Sequence, residues 1–367
     1  MRHIFIIVMV LAALPPSLAV AQQANQNIPV LPVIPQADED DLEWFKLGDG
    51  YLQRQVEPTI AVSTRNPDHL LTFFNDYRAV DIPSDIGLGE ETQVAALALK
   101  TMNLMYAGLI PRFDIPAVRS LPIAATEAWV GGSRSYDGGL TWSGFFMPGA
   151  PFDNDPDSVG PSTPIFGLEA ATDPVAVAGP CGYVYVSFIA FTRGGQSKMV
   201  VARFQDLNDL EGGDTIVYEG MTVVESGNNP DNGFFLDKPE IATDIMRPAD
   251  PADQCAYRLY VSYSTFTGLS KDGKIQSKVN FAKSEDLGAT FTTQKINKNW
   301  GQNQGSFITI DPRPGEPGLK DGPGTVYVFW RHFFDPDTII VTKTTDYGVK
   351  WSNPVSIIGP TPMATFD

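Results

Sequence analysis

Histidine is nearly absent: three residues in 367, one of them His3 beside the N-terminus. With only His69 and His332 beyond it, a multi-histidine metal centre is excluded. Basic residues are short as well, 26 Lys and Arg against 43 Asp and Glu, for a formal net charge of −17. That balance argues against nucleic acid or an anionic membrane as a partner. No Gly-rich phosphate loop precedes a helix, and no Gly-x-Ser-x-Gly elbow occurs. The apolar run at residues 4–14 is too short to span a bilayer. Following Met1-Arg2-His3 and ending in Ala19-Val20-Ala21, it reads as a secretory signal peptide, residues 1–21, which predicts a secreted or periplasmic chain with no membrane span after cleavage.

What is present suits a loop-rich β protein: 43% hydrophobic residues, 30 Pro and 33 Gly. Residues 22–49, with Pro29, Pro32, Pro35 and four acidic residues at 38–41, read as an extended lead-in. Beyond it two phrases recur. One closes a unit: Ser135-Tyr136-Asp137-Gly138-Gly139-Leu140-Thr141-Trp142, Ser284-Glu285-Asp286-Leu287-Gly288-Ala289-Thr290-Phe291 and Thr344-Thr345-Asp346-Tyr347-Gly348-Val349-Lys350-Trp351. Its Asp can accept from nearby backbone N–H groups, its Gly (Gly139, Gly288, Gly348) supplies a positive φ, and its aromatic plugs the space between layers. Repetition of such a corner implies a repeated supersecondary unit rather than a repeated active site.

The other phrase opens a unit: Glu57-Pro58-Thr59, Asp173-Pro174-Val175, Asp237-Lys238-Pro239 and a looser Gln304-Gly305-Ser306. After each opener come a second strand, at 70–75, 183–189, 258–264 and 325–330, and a third leading to the corner. The second unit's corner is degraded to Gln205-Asp206-Leu207-Asn208-Asp209. Four strands per unit of roughly 60 residues predict an all-β fold, a β-propeller of four-stranded antiparallel blades over 50–358. The blades run 50–171, 172–235, 236–302 and 303–358. A sandwich accounts for short alternating strands but not for a repeated opener plus a repeated corner. Blade one carries an insertion, about 84–112, in which Val94, Leu97, Ala98, Met102 and Met105 form one helical stripe. Residues 359–367 read as a linker or the start of a further blade, so an incomplete array of six or more blades is expected, with closure on four blades as the alternative.

The closing phrase resembles the Asp box, or BNR repeat, of the sialidase-like superfamily of β-propellers, over roughly residues 50–358. The resemblance implies six or more blades, Asp boxes on the face away from the catalytic centre, and an exo-acting glycoside hydrolase that recognises glycans. It also implies three arginines, an Asp acid/base and a Tyr nucleophile assisted by a Glu. The family's Arg-Ile-Pro phrase is not carried over, because Ile110-Pro111-Arg112 has the wrong order.

In a propeller, first strands start and second strands end on one face. This places Glu57, Asp173 and Asp237 around the channel mouth as candidate acids, bases or cation ligands. Tyr77, Arg78, Arg193 and Arg331 lie at second-strand ends as candidate substrate clamps. A proton donor with raised pKa and bidentate arginines suit glycoside chemistry on an acidic sugar. The bland reading is that Asp-Pro and Glu-Pro organise turns and that the arginines pair locally, leaving a non-catalytic extracellular binding scaffold. No cofactor is required. Acidic loops at 153–157 and 228–232 leave Ca²⁺ open through oxygen ligands, without EF-hand spacing. Cys181 and Cys255 each precede a strand-like run in neighbouring units, so a disulfide is open too. Nothing in the sequence sets an oligomeric state.

Overall fold

The computed structural model describes residues 55–77, 128–151, 158–192, 195–208, 215–228, 233–267, 276–297, 301–313, 324–333 and 337–358. The leader, the lead-in, the helical insertion, both acidic loops apart from Asn228, and the last nine residues lie outside them.

Among the described residues sixteen strands are formed, in chain order. They are β1 (Gln55–Val62), β2 (Leu70–Asp76), β3 (Trp129–Ser135) and β4 (Ser143–Phe146); β5 (Ala170–Ala178), β6 (Tyr183–Phe191), β7 (Gln196–Asp206) and β8 (Ile216–Asn228); β9 (Phe234–Asp250), β10 (Asp253–Thr267), β11 (Gln276–Ser284) and β12 (Thr292–Lys295); and β13 (Gln302–Ile310), β14 (Val326–Phe333), β15 (Thr338–Thr344) and β16 (Val355–Ile358). Each group of four is one antiparallel sheet with strands in sequence order. The first strands adjoin one another as β1, β5, β9 and β13.

Strand alternation decides how the sheets pack. In β6, Val184, Val186, Phe188 and Ala190 enter a core shared with the first sheet, through Leu71, Phe73 and Trp129. The intervening Tyr185 and Ile189 enter a second core with Tyr257, Leu259 and Tyr263 of the third sheet. A third core joins Tyr260, Val279 and Phe281 to Val328 and Trp330 of the fourth. Each middle sheet thus buries both faces against two different neighbours, which a two-sheet sandwich does not do. The architecture is a β-propeller of four-stranded blades.

The outer faces of the array differ from the inner ones. Cross-strand register makes Ile60 the equivalent of Ile241 and Ile308, and makes Phe329 the equivalent of Phe73 and Ser262. Ile241 and Ile308 are buried between blades, whereas Ile60 is 55% exposed and so is Phe307 beside Phe329.

The three corners share one bonding scheme. Ser135, Ser284 and Thr344 donate to Asp137, Asp286 and Asp346 at 2.8–2.9 Å. The same hydroxyls accept the N–H of Gly139, Gly288 and Gly348. Those glycines have φ of 90°, 80° and 85°, and a Cβ on Gly348 would lie 2.6 Å from the Phe281 ring. Trp142 Nε1 donates back to the Gly139 carbonyl, Phe291 packs against the core between the second and third sheets, and Trp351 meets Phe281 edge-on at 4.7 Å.

The degraded corner works differently. Asp206 is wholly buried, accepts Ser63 Oγ at 2.5 Å and pairs with His69 Nδ1 at 3.0 Å, fastening the β1–β2 turn to blade two. Cys181 and Cys255 form a disulfide with Cα atoms 5.6 Å apart, tying blade two to blade three on the corner side.

Candidate functional site at the channel mouth

Each first strand is interrupted near its start by a bulge: between Val56 and Thr59, Thr172 and Val175, Asp237 and Glu240, and Gln304 and Phe307. An extra residue in a bulge takes an unusual backbone conformation. Here the four are Glu57, Asp173, Lys238 and Gly305, with φ of 55°, 58°, 47° and 64°. Three are not glycine, and each precedes a proline that disfavours helical backbone. Such residues cost about 1–3 kcal/mol each and cluster at functional sites.

The expected ring is therefore corrected by one position in two blades. Asp237 and Gln304 align with Val56 and Thr172, not with Glu57 and Asp173. The structural equivalents of the two acids are Lys238 and Gly305. Alignment on the acidic residue misses this shift; alignment on Pro58, Pro174 and Pro239 reveals it and brings out Lys238.

Lys238 reaches across the arc. Its Nζ lies 2.7 Å from Glu57 Oε1 on β1 and 3.1 Å from Asp173 Oδ1 on β5. Asn75 Nδ2 donates to Glu57 Oε2 at 3.2 Å, and Asn75 Oδ1 accepts the Asp173 N–H at 2.7 Å. Gln304 Nε2 donates to Asp237 Oδ2 at 2.6 Å. Glu57, Asp173 and Asp237 thus converge at one mouth, bound by Lys238, Asn75 and Gln304.

Burial first, and then the hydrogen bond to Glu57, push the Asp173 carboxyl up to about 7. The same bond from Asp173 holds Glu57 below the usual carboxylate range; burial opposes this, and Lys238 and Asn75 support it. The two carboxyl groups titrate as a pair, and the opposite directions of their shifts favour the proton on Asp173 and the charge on Glu57. Burial raises Asp237 against the opposing pull of Lys238 and Gln304. Lys238 is held above the ordinary lysine range by its two carboxylates, although burial works against its charge. Deeper along β9, burial alone pushes Glu240 up to about 7.

The proposed clamps fare unequally. Arg331 lies opposite Gln304 in the β13–β14 register, but its guanidinium is paired with Asp337 and sits 4.1 Å over the Phe333 ring. That local pairing is what the bland reading expects of it. Tyr77 directly follows β2 at the mouth, and Arg78 and Arg193 lie outside the described residues. A Tyr–Glu couple does exist, Tyr263 donating to Glu225, yet Tyr263 is wholly buried between blades two and three.

Clefts among the described residues also lie elsewhere. One of about 310 Å³ runs between Ile241–Arg247 and Ile308–Ile310 toward the corner side. Another of about 240 Å³ lies between Arg203, Glu219 and the Gly288 corner. Each contains an ion pair, Asp244–Arg247 in the first and Arg203–Glu219 in the second. Among the described residues no cluster of His, Cys, Asp and Glu is arranged to hold a metal ion, and no helix is long and apolar enough to cross a membrane.

No protein-family model and no curated protein matches the chain. Solved structures resemble it in chain path. A Dyadobacter fermentans protein of unknown function is 11% identical, with a TM-score of 0.43 over 90% of this chain and 74% of its own. A Trypanosoma rangeli sialidase is 11% identical, with a TM-score of 0.40 over 83% of this chain and 37% of its own. A family 117 glycoside hydrolase from Zobellia galactanivorans is 11% identical, with a TM-score of 0.39 over 90% of this chain and 75% of its own. The chain thus matches well under half the length of the trypanosomal enzyme.

Proposed function

We propose that this chain is an exported Asp-box propeller that binds a glycan at its channel mouth and hydrolyses it from one end, with Asp173 as the proton donor. The observation that carries this reading is the Glu57–Asp173–Lys238 network. A carboxyl that keeps its proton to about 7 is a proton donor suited to neutral conditions. Glu57 holds that proton in place, and Lys238 fixes both carboxyl groups from a third blade.

Lys238 has a further part in binding. An ammonium carries three donors, and two are directed to Glu57 and Asp173. The third, on a side chain 39% exposed, remains for an acceptor oxygen on the ligand. A sugar hydroxyl or carboxylate held there lies next to the Asp173 proton. The leader at residues 1–21 supports export, and the three corner phrases support the Asp-box assignment.

A second reading has its own support: a network whose carboxyl groups are all bound also suits a scaffold whose mouth is simply braced. Hydrolysis of a fluorogenic glycoside panel, sialosides first and neutral sugars after, separates the two. We expect activity in the mature protein and its loss in Asp173→Asn with the fold retained. Silence of the folded protein across the whole panel sinks the hydrolase reading and leaves the scaffold.

A further inference from the structure

Hydrolysis between two carboxyl groups requires them to flank the scissile bond, roughly 5–9.5 Å apart. Glu57 and Asp173 share a hydrogen bond and both touch one ammonium group, so they stand too close to serve as that pair and act as a single proton-donating unit. Asp237 is bonded to Gln304 and belongs to the same knot. On a two-carboxyl mechanism the second carboxyl comes from elsewhere on the channel wall.

We propose that Glu240 is the general base of this site, a role that rests on the hydrolase reading given above. Glu240 lies on β9 just beyond the Lys238 bulge and opposes Ser262 of β10. Its register equivalents, Thr59 and Val175, stand between neighbouring first strands: Thr59 Oγ1 accepts the Ala176 N–H of the next blade, and Val175 packs against the core shared with blade three. Glu240 therefore stands between β9 and β13, one layer below the ring of Glu57, Asp173 and Lys238.

Among the described residues its surroundings supply no free counter-charge. Ser262 hydrogen-bonds Ser306 of β13 at 2.9 Å rather than Glu240, and β13 carries no charged residue. Above it stand Glu57, Asp173, Asp237 and Lys238, already bound to one another. Below it, Asp244 and Arg247 are paired at 2.8 Å, and Arg258 of β10 is paired with Glu285. Among the described residues Glu240 has no hydrogen-bond or ion-pair partner. A half-buried carboxyl without a partner is uncommon and calls for an explanation. A carboxylate with nothing to stabilise it is a better base than an ordinary one.

The step balances. Asp173 gives its proton to the leaving oxygen as the glycosidic C–O bond breaks. A water oxygen bonds to the anomeric carbon from the opposite side and passes a proton to the Glu240 carboxylate. Solvent then returns the proton from Glu240 to Asp173. Attack from the opposite side inverts the anomeric configuration.

The test uses the mature protein on the aryl glycoside it cleaves best. Glu240→Gln should lower kcat by about 10²–10⁴ with little change in KM, and should remove the acid limb of the pH profile. Glu240→Ala with added azide, a nucleophile that needs no base, should recover turnover and yield a glycosyl azide of inverted configuration. Wild-type turnover with Glu240→Gln within a few fold of it overturns the assignment while the hydrolase reading stands. Loss of turnover without rescue by azide in a folded Glu240→Ala also overturns it, marking a structural role. A wild-type protein silent on every glycoside overturns both.

Discussion

Asp173 makes the mouth sensitive to pH in a direction that can be measured without any substrate. In the folded chain it keeps its proton to about 7, whereas its ordinary value is 3.8. Below the ordinary value both states are protonated, and this group's contribution to stability is at its full value. As pH rises from about 4 to about 7 the unfolded chain gives up the proton and the folded chain does not, so stability is lost across that window. Asp173→Asn cannot ionise and should flatten that part of the curve. Thermal midpoints of wild type and variant, compared across the window, should converge toward its alkaline end if the variant starts lower. Parallel curves would show that Asp173 ionises normally. Glu240 contributes a slope of the same sign, and His332, whose pKa burial lowers, one of opposite sign; the comparison with Asp173→Asn removes both. The acids Glu57, Asp173 and Asp237 are legible in the sequence because each stands at a strand start. Lys238 is not, because an inserted bulge residue shifts the register without changing the strand's apolar pattern.

At the scale of the element, the corner is the part most open to reading from sequence, because nearly every bond in it is local. Asp286 accepts the Thr290 N–H and hydroxyl four residues on, and Ser284 binds both Asp286 and the Gly288 N–H. No distant residue has to be known. Within the corner the hydroxyl of Ser284 matters most, since it is buried and serves as both donor and acceptor, whereas Thr290 is exposed. Ser284→Ala strands the Gly288 N–H in a buried place and should cost about 1–3 kcal/mol. Thr290→Ala leaves groups that water can reach and should cost less. Denaturant unfolding of the two variants checks the order, and a larger loss in Thr290→Ala would reverse the argument. The degraded corner shows where local reading stops. Asp206 keeps the corner's aspartate but bonds Ser63 and His69, more than 130 residues away in the chain, and only the packing of blade one on blade two creates that use.

Across the whole molecule, repetition made the blade order readable, and the long-range ties were not. Whether Cys181 and Cys255 could meet depended on a distance between blades that no repeat encodes. Two local features set it. Cys181 sits in a tight turn, Pro180–Gly182, with φ of 59°, which turns it out of the strand path. The β9–β10 hairpin runs on to Asp250 and returns from Asp253, longer than its counterparts, and so carries Cys255 back to meet it. The bridge closes a loop with a sequence separation of 74 and restrains blades two and three together in the unfolded chain. A disulfide typically stabilises by about 2–4 kcal/mol, mainly by limiting the unfolded ensemble. The double variant Cys181→Ser, Cys255→Ser should lose that amount in chemical denaturation. The channel mouth stands at the opposite end of the strands, so the Asp173 dependence on pH should survive in the folded fraction. If removing the bridge abolishes that dependence as well, the two ends of the blades are coupled and the mouth is not an independently braced unit.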